Sequence, residues 1–369
     1  MRLGLFMMPL HPPTRMLGAF LAETAEKALL AERLGFDEVW LGEHFSATSE
    51  PIPSPLMFMA SLIPQTKRIT FATGVINLPN RHPAVIAAEV AQFDHMSQGR
   101  FIFGIGTGSL PSDYELFDIA DAARRQRMML ESISFIERIW AQGPPYELNG
   151  EFWRFGIKKA ISEKLGIGFM PKPRRAGGPP ICVAISSPGS PTARIAGARG
   201  WGPVTSGLTS VDAAVSHWQL YGEGCREAGR VPDGADWRVV KYVHVAGTDA
   251  EARTHVYSEQ SAYRYAFGYL YEVLKRAGRL VGLKTHPEQP DSDVTVESVI
   301  EARVIYGSPQ TVAEKLLAFR REVGPFGHVL VTGMDWGGPN REWESESMRR
   351  LAEEVMPLVR RQATARAAE

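Results

Sequence analysis

The sequence predicts an α/β chain built as a (β/α)8 TIM barrel, with insertions after the fourth helix and before the last helix–strand pair. Two observations carry that expectation. Apolar runs of strand length recur eight times, and stretches of helical length lie between most of them. The runs are continuously apolar rather than alternating, which marks parallel strands covered on their outer side, and right-handed crossovers between such strands close into a barrel. A doubly wound open sheet is the alternative architecture.

Composition bounds the function classes. With 369 residues and 44% apolar content, the chain can bury a large core without metal or disulfide staples. Lysine plus arginine (41) equals aspartate plus glutamate (41), so no charge excess recruits nucleic acid or an anionic membrane. The two cysteines, Cys182 and Cys225, form no CxxC pattern and suggest a reducing compartment, with the cytoplasm as the expected location. The nine histidines include no HxH or HExxH pair, so no metal site is expected.

The opening "MRLGLFMMPLHPP" is too short to span a membrane and lacks a small-residue cleavage site; it reads as the first strand. The next stretch predicts a helix with Leu17, Leu21, Ala25, Ala28 and Leu29 on one apolar face, charges opposite, and Gly35 as its stop. "FDEVWLG" is the second strand, and Glu43 and His44 follow where it runs out. In a barrel that is the carboxyl end, the face on which active sites are built. A lone histidine more often bonds a neighbouring loop, but three further strands also end in polar or glycine-rich stretches.

The third strand, "RITFATGV", leads to Asn77, Asn80 and His82 before Pro83 opens a helix. The fourth, "RFIFGIG", carries alternate glycines Gly104, Gly106 and Gly108, which strip one face of side chains and allow a flat or anionic group to approach the backbone. A dinucleotide-binding unit would instead turn directly into a helix; here Pro111 and a loop "SDYELF" are expected to intervene. The fifth strand ends in Ser186, Ser187, Ser190 and Thr192 ahead of an apolar helix, a place where hydroxyls and free amides suit a phosphate, though serine and threonine are also ordinary caps. "WGPVTSG", "WRVVKYVHVAG" and "GHVLVTGM" complete the eight strands. The insertions cover the Gly- and Pro-rich stretch before the fifth strand and the stretch from Tyr263 to Pro309.

The stretches "GFDEVWLGEHF", "TGVINLPNRHPAVIAAEVAQFDHMSQGRFIFGIGTGSLPSDYELF" and "VAISSPGSPTARIAG", in this order and spacing, closely resemble the bacterial luciferase-like flavin monooxygenases, and in particular the branch containing limonene monooxygenase. The resemblance runs from Met1 to about Arg360. It implies one barrel domain over 1–369 with a mobile active-site lid at about 263–304 and a frayed tail at about 361–369. It further implies an enzyme that takes reduced FMN from a separate flavin reductase and captures O2 as a flavin peroxide. One oxygen atom then goes into a small apolar substrate by hydroxylation, epoxidation or Baeyer-Villiger insertion. A homodimer is implied, with no nucleic-acid or membrane partner.

Residue by residue, the resemblance makes His44 the catalytic histidine, with Phe45 where relatives have a second histidine, and makes Asp113 an active-site acid. Gly74 and Val75 correspond to a pair joined by a cis peptide beneath the flavin ring. Asn77, Gly106, Thr107 and Gly108 are expected around the cofactor, and Ser187, Ser190 and Thr192 at its phosphate. Thr107 stands where luciferase has a phosphate-binding arginine, which leaves Arg81, Arg124, Arg125 and Arg127 as candidates for that charge. Two alternatives stay open: a deazaflavin-dependent oxidoreductase on the same barrel, since that type reads Asp-His-Phe where this chain reads Glu43, His44 and Phe45, and a non-catalytic flavin-binding subunit.

Overall fold

The computed structural model describes residues 1–8, 10–285 and 288–367. Twelve strands run in chain order among them: β1 (Arg2–Met7), β2 (Glu38–Leu41), β3 (Thr70–Thr73), β4 (Ile76–Asn77), β5 (Phe101–Gly106), β6 (Tyr146–Asn149), β7 (Arg154–Ile157), β8 (Ile181–Ile185), β9 (Gly202–Thr205), β10 (Arg238–Val245), β11 (Val304–Gly307) and β12 (His328–Gly333). All eight expected strands are present, as β1, β2, β3, β5, β8, β9, β10 and β12, and helices separate them in the succession of a (β/α)8 barrel. Among the described residues, no helix is long and apolar enough to cross a membrane.

The chain divides into two compact units, one made of residues 1–39 with the chain from 183 onward, the other of residues 40–182; the division falls within β2 and β8. In the first unit β1 pairs with β12 and β12 with β10, all parallel, with Leu5 opposite Val331 and Val239 opposite Val329. β10 is shared along its length: Arg238 and Val239 pair with β9, and Tyr242 to Val245 pair with β11. β11 is a strand the sequence did not announce, because its four residues lie inside the stretch expected as an insertion.

The helix Leu17–Leu34 has the expected extent, and Gly35 ends it in the left-handed conformation that glycine adopts without steric cost (φ 81°). Its buried face differs from the expected one. Phe20, Thr24, Lys27, Ala28 and Ala31 are buried, while Leu17 is 50% exposed. The reason is Lys27, a charge that periodicity assigns to solvent. Its ammonium is buried because Glu344 lies 2.7 Å away and the Met334 carbonyl accepts a hydrogen bond from it. A paired buried charge is tolerated where a lone one is not, so the stripe rotates to include it.

In the second unit β3 and β4 both pair in parallel with β5, while β6 and β7 form an antiparallel hairpin within the first expected insertion. The core is an aromatic chain: Phe71 meets Phe93 edge-on at 6.0 Å, Phe93 meets Phe101 at 4.8 Å, and Phe103 meets Trp140 at 6.0 Å. Each such ring, fully buried, contributes about 1.5–3 kcal/mol, and edge-on contacts add to that. The stretch after β5 expected as a loop is instead the helix Pro111–Leu116, opened by proline at its first position.

The segment expected as a lid carries two helices, Ala262–Arg276 and Val296–Arg303. Tyr263, Phe267, Leu283, Val299 and Ile300 bury apolar side chains together there. Of the tail expected from 361, residues up to 367 continue the helix Met356–Ala367, and 368–369 lie outside the described residues.

Candidate active site

β2 is buried along its whole length, and its chain emerges at Gly42 into Glu43 and His44, themselves only 2% and 6% exposed. Pro51 and Pro53 keep the following loop from joining sheet or helix. Its far end is fixed by Ser54, whose hydroxyl accepts from Met57 N at the start of the helix Pro55–Ala60. Between these anchors the loop closes on itself: His44 N donates to Ile52 O (3.1 Å), Glu50 N to Ala47 O (3.2 Å) and Ile52 N to Glu50 O (2.9 Å).

His44 meets Asp113, 69 residues away in sequence, with Nδ1 3.2 Å from Oδ2. Asp113 lies in the first turn of the helix Pro111–Leu116, where the helix end favours a carboxylate. Its Oδ1 also accepts from Ser46 N (2.9 Å) and Ser46 Oγ (2.5 Å), and both its oxygens accept from Phe45 N at 3.3 Å. A carboxylate is an acceptor only, so the Nδ1 position carries the proton and the tautomer follows from the network. Asp113 therefore orients the ring and leaves Nε2 as the nitrogen able to act on another molecule. Opposite, Glu50 Oε2 lies 3.5 Å from Nε2.

Glu43 points another way. Oε1 accepts from Asn77 N (3.2 Å) and Oε2 from Arg81 Nε (3.0 Å), so the glutamate braces the end of β2 against β4. Burial pushes its pKa up to about 7, against the opposing pull of Arg81. Arg81 in turn caps Pro53 O (2.7 Å) and stacks over Phe45 at 5.4 Å. Sequence reasoning noticed Glu43 and gave it no role; it also missed Glu50, for which no local signal exists.

The expected cofactor residues fall into two groups. In the second unit, a cis peptide joins Gly74 to Val75, as expected, and Gly74 N donates to Leu41 O (2.7 Å). Asn77 is the register partner of Gly106. Thr107 and Gly108 follow, half-buried, with Gly108 in the left-handed region (φ 86°) and its bare face toward Tyr114 and Asn77. Gly104 is not open to a ligand: an added Cβ would lie 1.8 Å from Thr73 O, so its missing side chain serves strand packing.

In the first unit, Ser190 caps the helix Pro191–Arg199 by accepting from Thr192 N (3.4 Å). Ser187 is exposed, Thr192 is buried, and the first turn holds no acidic residue. Ser216 Oγ accepts from Gly189 N (3.1 Å), and His217 Nε2 meets Ser187 O (2.9 Å), which fixes the turn from behind.

The four arginines considered for a phosphate all have partners within their unit. Arg81 is committed to Glu43, and Arg127 to Glu151 at 3.1 Å. Arg124 bonds Asp118 O, and Arg125 bonds Ile119 O and Ala120 O while its guanidinium sits 3.5 Å from the Tyr114 ring centroid.

These residues fit a flavin. Serine hydroxyls and helix amides free of nearby carboxylates suit its phosphate, and an oriented imidazole at a strand end suits proton traffic beside a ring.

Comparison with known proteins agrees. The family model described as luciferase-like monooxygenase matches residues 1–325. The 4-hydroxyprotoasukamycin monooxygenase of Streptomyces nodosus subsp. asukaensis is 32% identical, over 96% of this chain and 91% of the relative. The limonene 1,2-monooxygenase of Rhodococcus erythropolis is 29% identical, over 96% and 85%. Among solved structures, the oxygenating constituent of 3,6-diketocamphane monooxygenase of Pseudomonas putida, a type II Baeyer-Villiger monooxygenase in complex with FMN, superposes with a TM-score of 0.87. That pair shares 29% identity over 97% of this chain and 98% of the other.

Proposed function

Because this chain belongs to the luciferase-like monooxygenases, we propose that it is the oxygenating component of a two-component system, one that uses FMN reduced by a separate flavin reductase and places one atom of O2 into a small apolar organic substrate. The relatives named for limonene and diketocamphane metabolism support the apolar class, and the FMN complex of the 3,6-diketocamphane oxygenase supports the cofactor. Reduced FMN, when bound, supplies the electrons that activate oxygen.

The observation that carries this reading is the Asp113–His44 pair. Asp113 holds the imidazole in one tautomer, so that Nε2 can take up or deliver a single proton at the reacting end of the site. Glu43 holds Asn77 and the end of β4 in place beside β5. Ser187, Ser190 and Thr192 would hold the phosphate at the helix Pro191–Arg199, and Gly74, Val75, Asn77, Gly106, Thr107 and Gly108 would line the ring. Near-complete burial of His44 and Asp113 keeps stray water from that proton.

His44→Ala tests this. Product formation with reduced FMN and an apolar ketone or terpene is expected to fall by about 10²-fold or more, while FMN affinity, measured by fluorescence quenching, stays within about threefold of the native value. Equal single-turnover yield in the two proteins would reject the role.

A further inference from the structure

Glu50 is the residue of this site that neither its sequence context nor the Asp113–His44 pair explains. The loop closure described above folds its carboxyl back onto the imidazole, so that Oε2 stands 3.5 Å from Nε2 while Nδ1 is held by Asp113. Within this unit the charged groups paired with the ring are Glu50 from the loop itself and Asp113 from the helix Pro111–Leu116, while Glu43 at the end of β2 is turned to its partner Arg81. Two carboxyl groups thus face one imidazole in a largely buried setting, with the nearby guanidinium already paired to a third. Buried charges of one sign in excess retain protons. Burial, with the nearby Asp113 charge, raises the pKa of Glu50, whereas His44 opposes that rise.

We propose that Glu50 is the proton reservoir of His44: one proton is shared between the Glu50 carboxyl and imidazole Nε2, with Nδ1 fixed on Asp113. The exchange balances without any other reactant. The Glu50 O–H bond breaks as the Nε2–H bond forms, giving carboxylate and imidazolium, and the reverse step restores the neutral pair. The 3.5 Å separation is long for transfer and in keeping with ligand-free sites, whose catalytic hydrogen bonds tighten when substrate is in place. Glu50 touches His44 rather than the reacting atoms, so it is a positioning and proton-storing residue. What the proton is used for rests on the monooxygenase reading above; that it is shared does not.

The experiment therefore has one arm free of turnover. In flavin-free protein carrying ¹⁵N-histidine and ¹³C-glutamate, the native His44 nitrogen and Glu50 carboxyl resonances are expected to change over the same pH range. In Glu50→Gln the His44 transition is expected to move down by one pH unit or more, and Glu50→Asp to recover at least half of that displacement. Independent transitions in the native protein, or an unmoved His44 transition in Glu50→Gln, would overturn the proposal; the native measurement stands even if the variant fails to fold. In the second arm, Glu50→Gln turnover with reduced FMN should drop about tenfold or more with a displaced pH profile, at FMN affinity within twofold of native. A native-like pH profile in this variant overturns the proposal. A native protein that consumes no oxygen sinks the monooxygenase reading alone and leaves the spectroscopic arm to judge Glu50.

Discussion

Two buried clusters of this protein use the same three side-chain types and reach opposite electrostatic ends. In the first unit, Glu38 is gripped by Arg238 through two parallel bonds, Nε to Oε2 at 2.9 Å and Nη2 to Oε1 at 2.7 Å, with His328 Nδ1 3.4 Å from Oε1. Burial holds that histidine neutral, its basicity lowered to about 4. One carboxylate meets one guanidinium and the account closes. In the second unit, Glu43 has its arginine, Arg81, but Glu50 and Asp113 stand around His44 with no second guanidinium among their described partners. The balanced cluster is a brace, whereas the unbalanced one is where we place the shared proton. Residue composition thus does not separate the two clusters; the balance of buried charges does.

The largest effect that would test this contrast is on stability. Arg238→Met takes from the buried Glu38 its two-bonded guanidinium and is expected to cost about 3–5 kcal/mol in urea unfolding. Replacing Glu38 and Arg238 together by methionine should cost clearly less than that single change. Arg81→Met should cost about 1–2 kcal/mol, because Glu43, whose pKa already stands near 7, can take up a proton when its partner goes. Equal losses for the two arginines would erase the distinction.

Next in size come opposite pH slopes. Glu43 binds its proton more tightly folded than unfolded, so its contribution to stability is full below about 4.5 and is lost as pH rises through about 7. His328 binds its proton less tightly when folded, so its contribution is present above about 6.5 and is lost as pH falls through about 4. Each contributes about 3 kcal/mol across its window. Glu43→Gln should flatten the decline toward neutral pH, and His328→Gln the decline toward acid, in unfolding midpoints measured every half pH unit. The smallest effect concerns the wall behind the site: Thr73 Oγ1 donates to Gly104 O at 2.7 Å, and Thr73→Val should cost about 1 kcal/mol with turnover unchanged.

Much of the fold could be read from the chain. The eight strands are continuous apolar runs closed by glycine, proline or polar residues, and such runs reveal themselves locally. β11 escaped because four residues between two helices carry too little periodicity to stand out, and Pro111–Leu116 because six residues opened by a proline resemble a turn as well as a helix. At the site, His44 could be found from its place at a strand end and Asp113 only through family resemblance. Glu50 could be found from neither, since three backbone hydrogen bonds within a coil decide where its carboxyl points.

The sequence by itself determined the alternation of strand and helix, the caps at Ser54, His82 and Ser190, and the arrival of an imidazole at the end of β2. These are consequences of short-range sterics and hydrogen bonding, which act over a few residues. Only the tertiary structure decided that Lys27 is inside, that Arg81 pairs with Glu43, and that His44 lies between two carboxyl groups. Ionisation and pairing depend on which charges desolvate one another, and those partners lie from 6 to more than 300 positions apart along the chain.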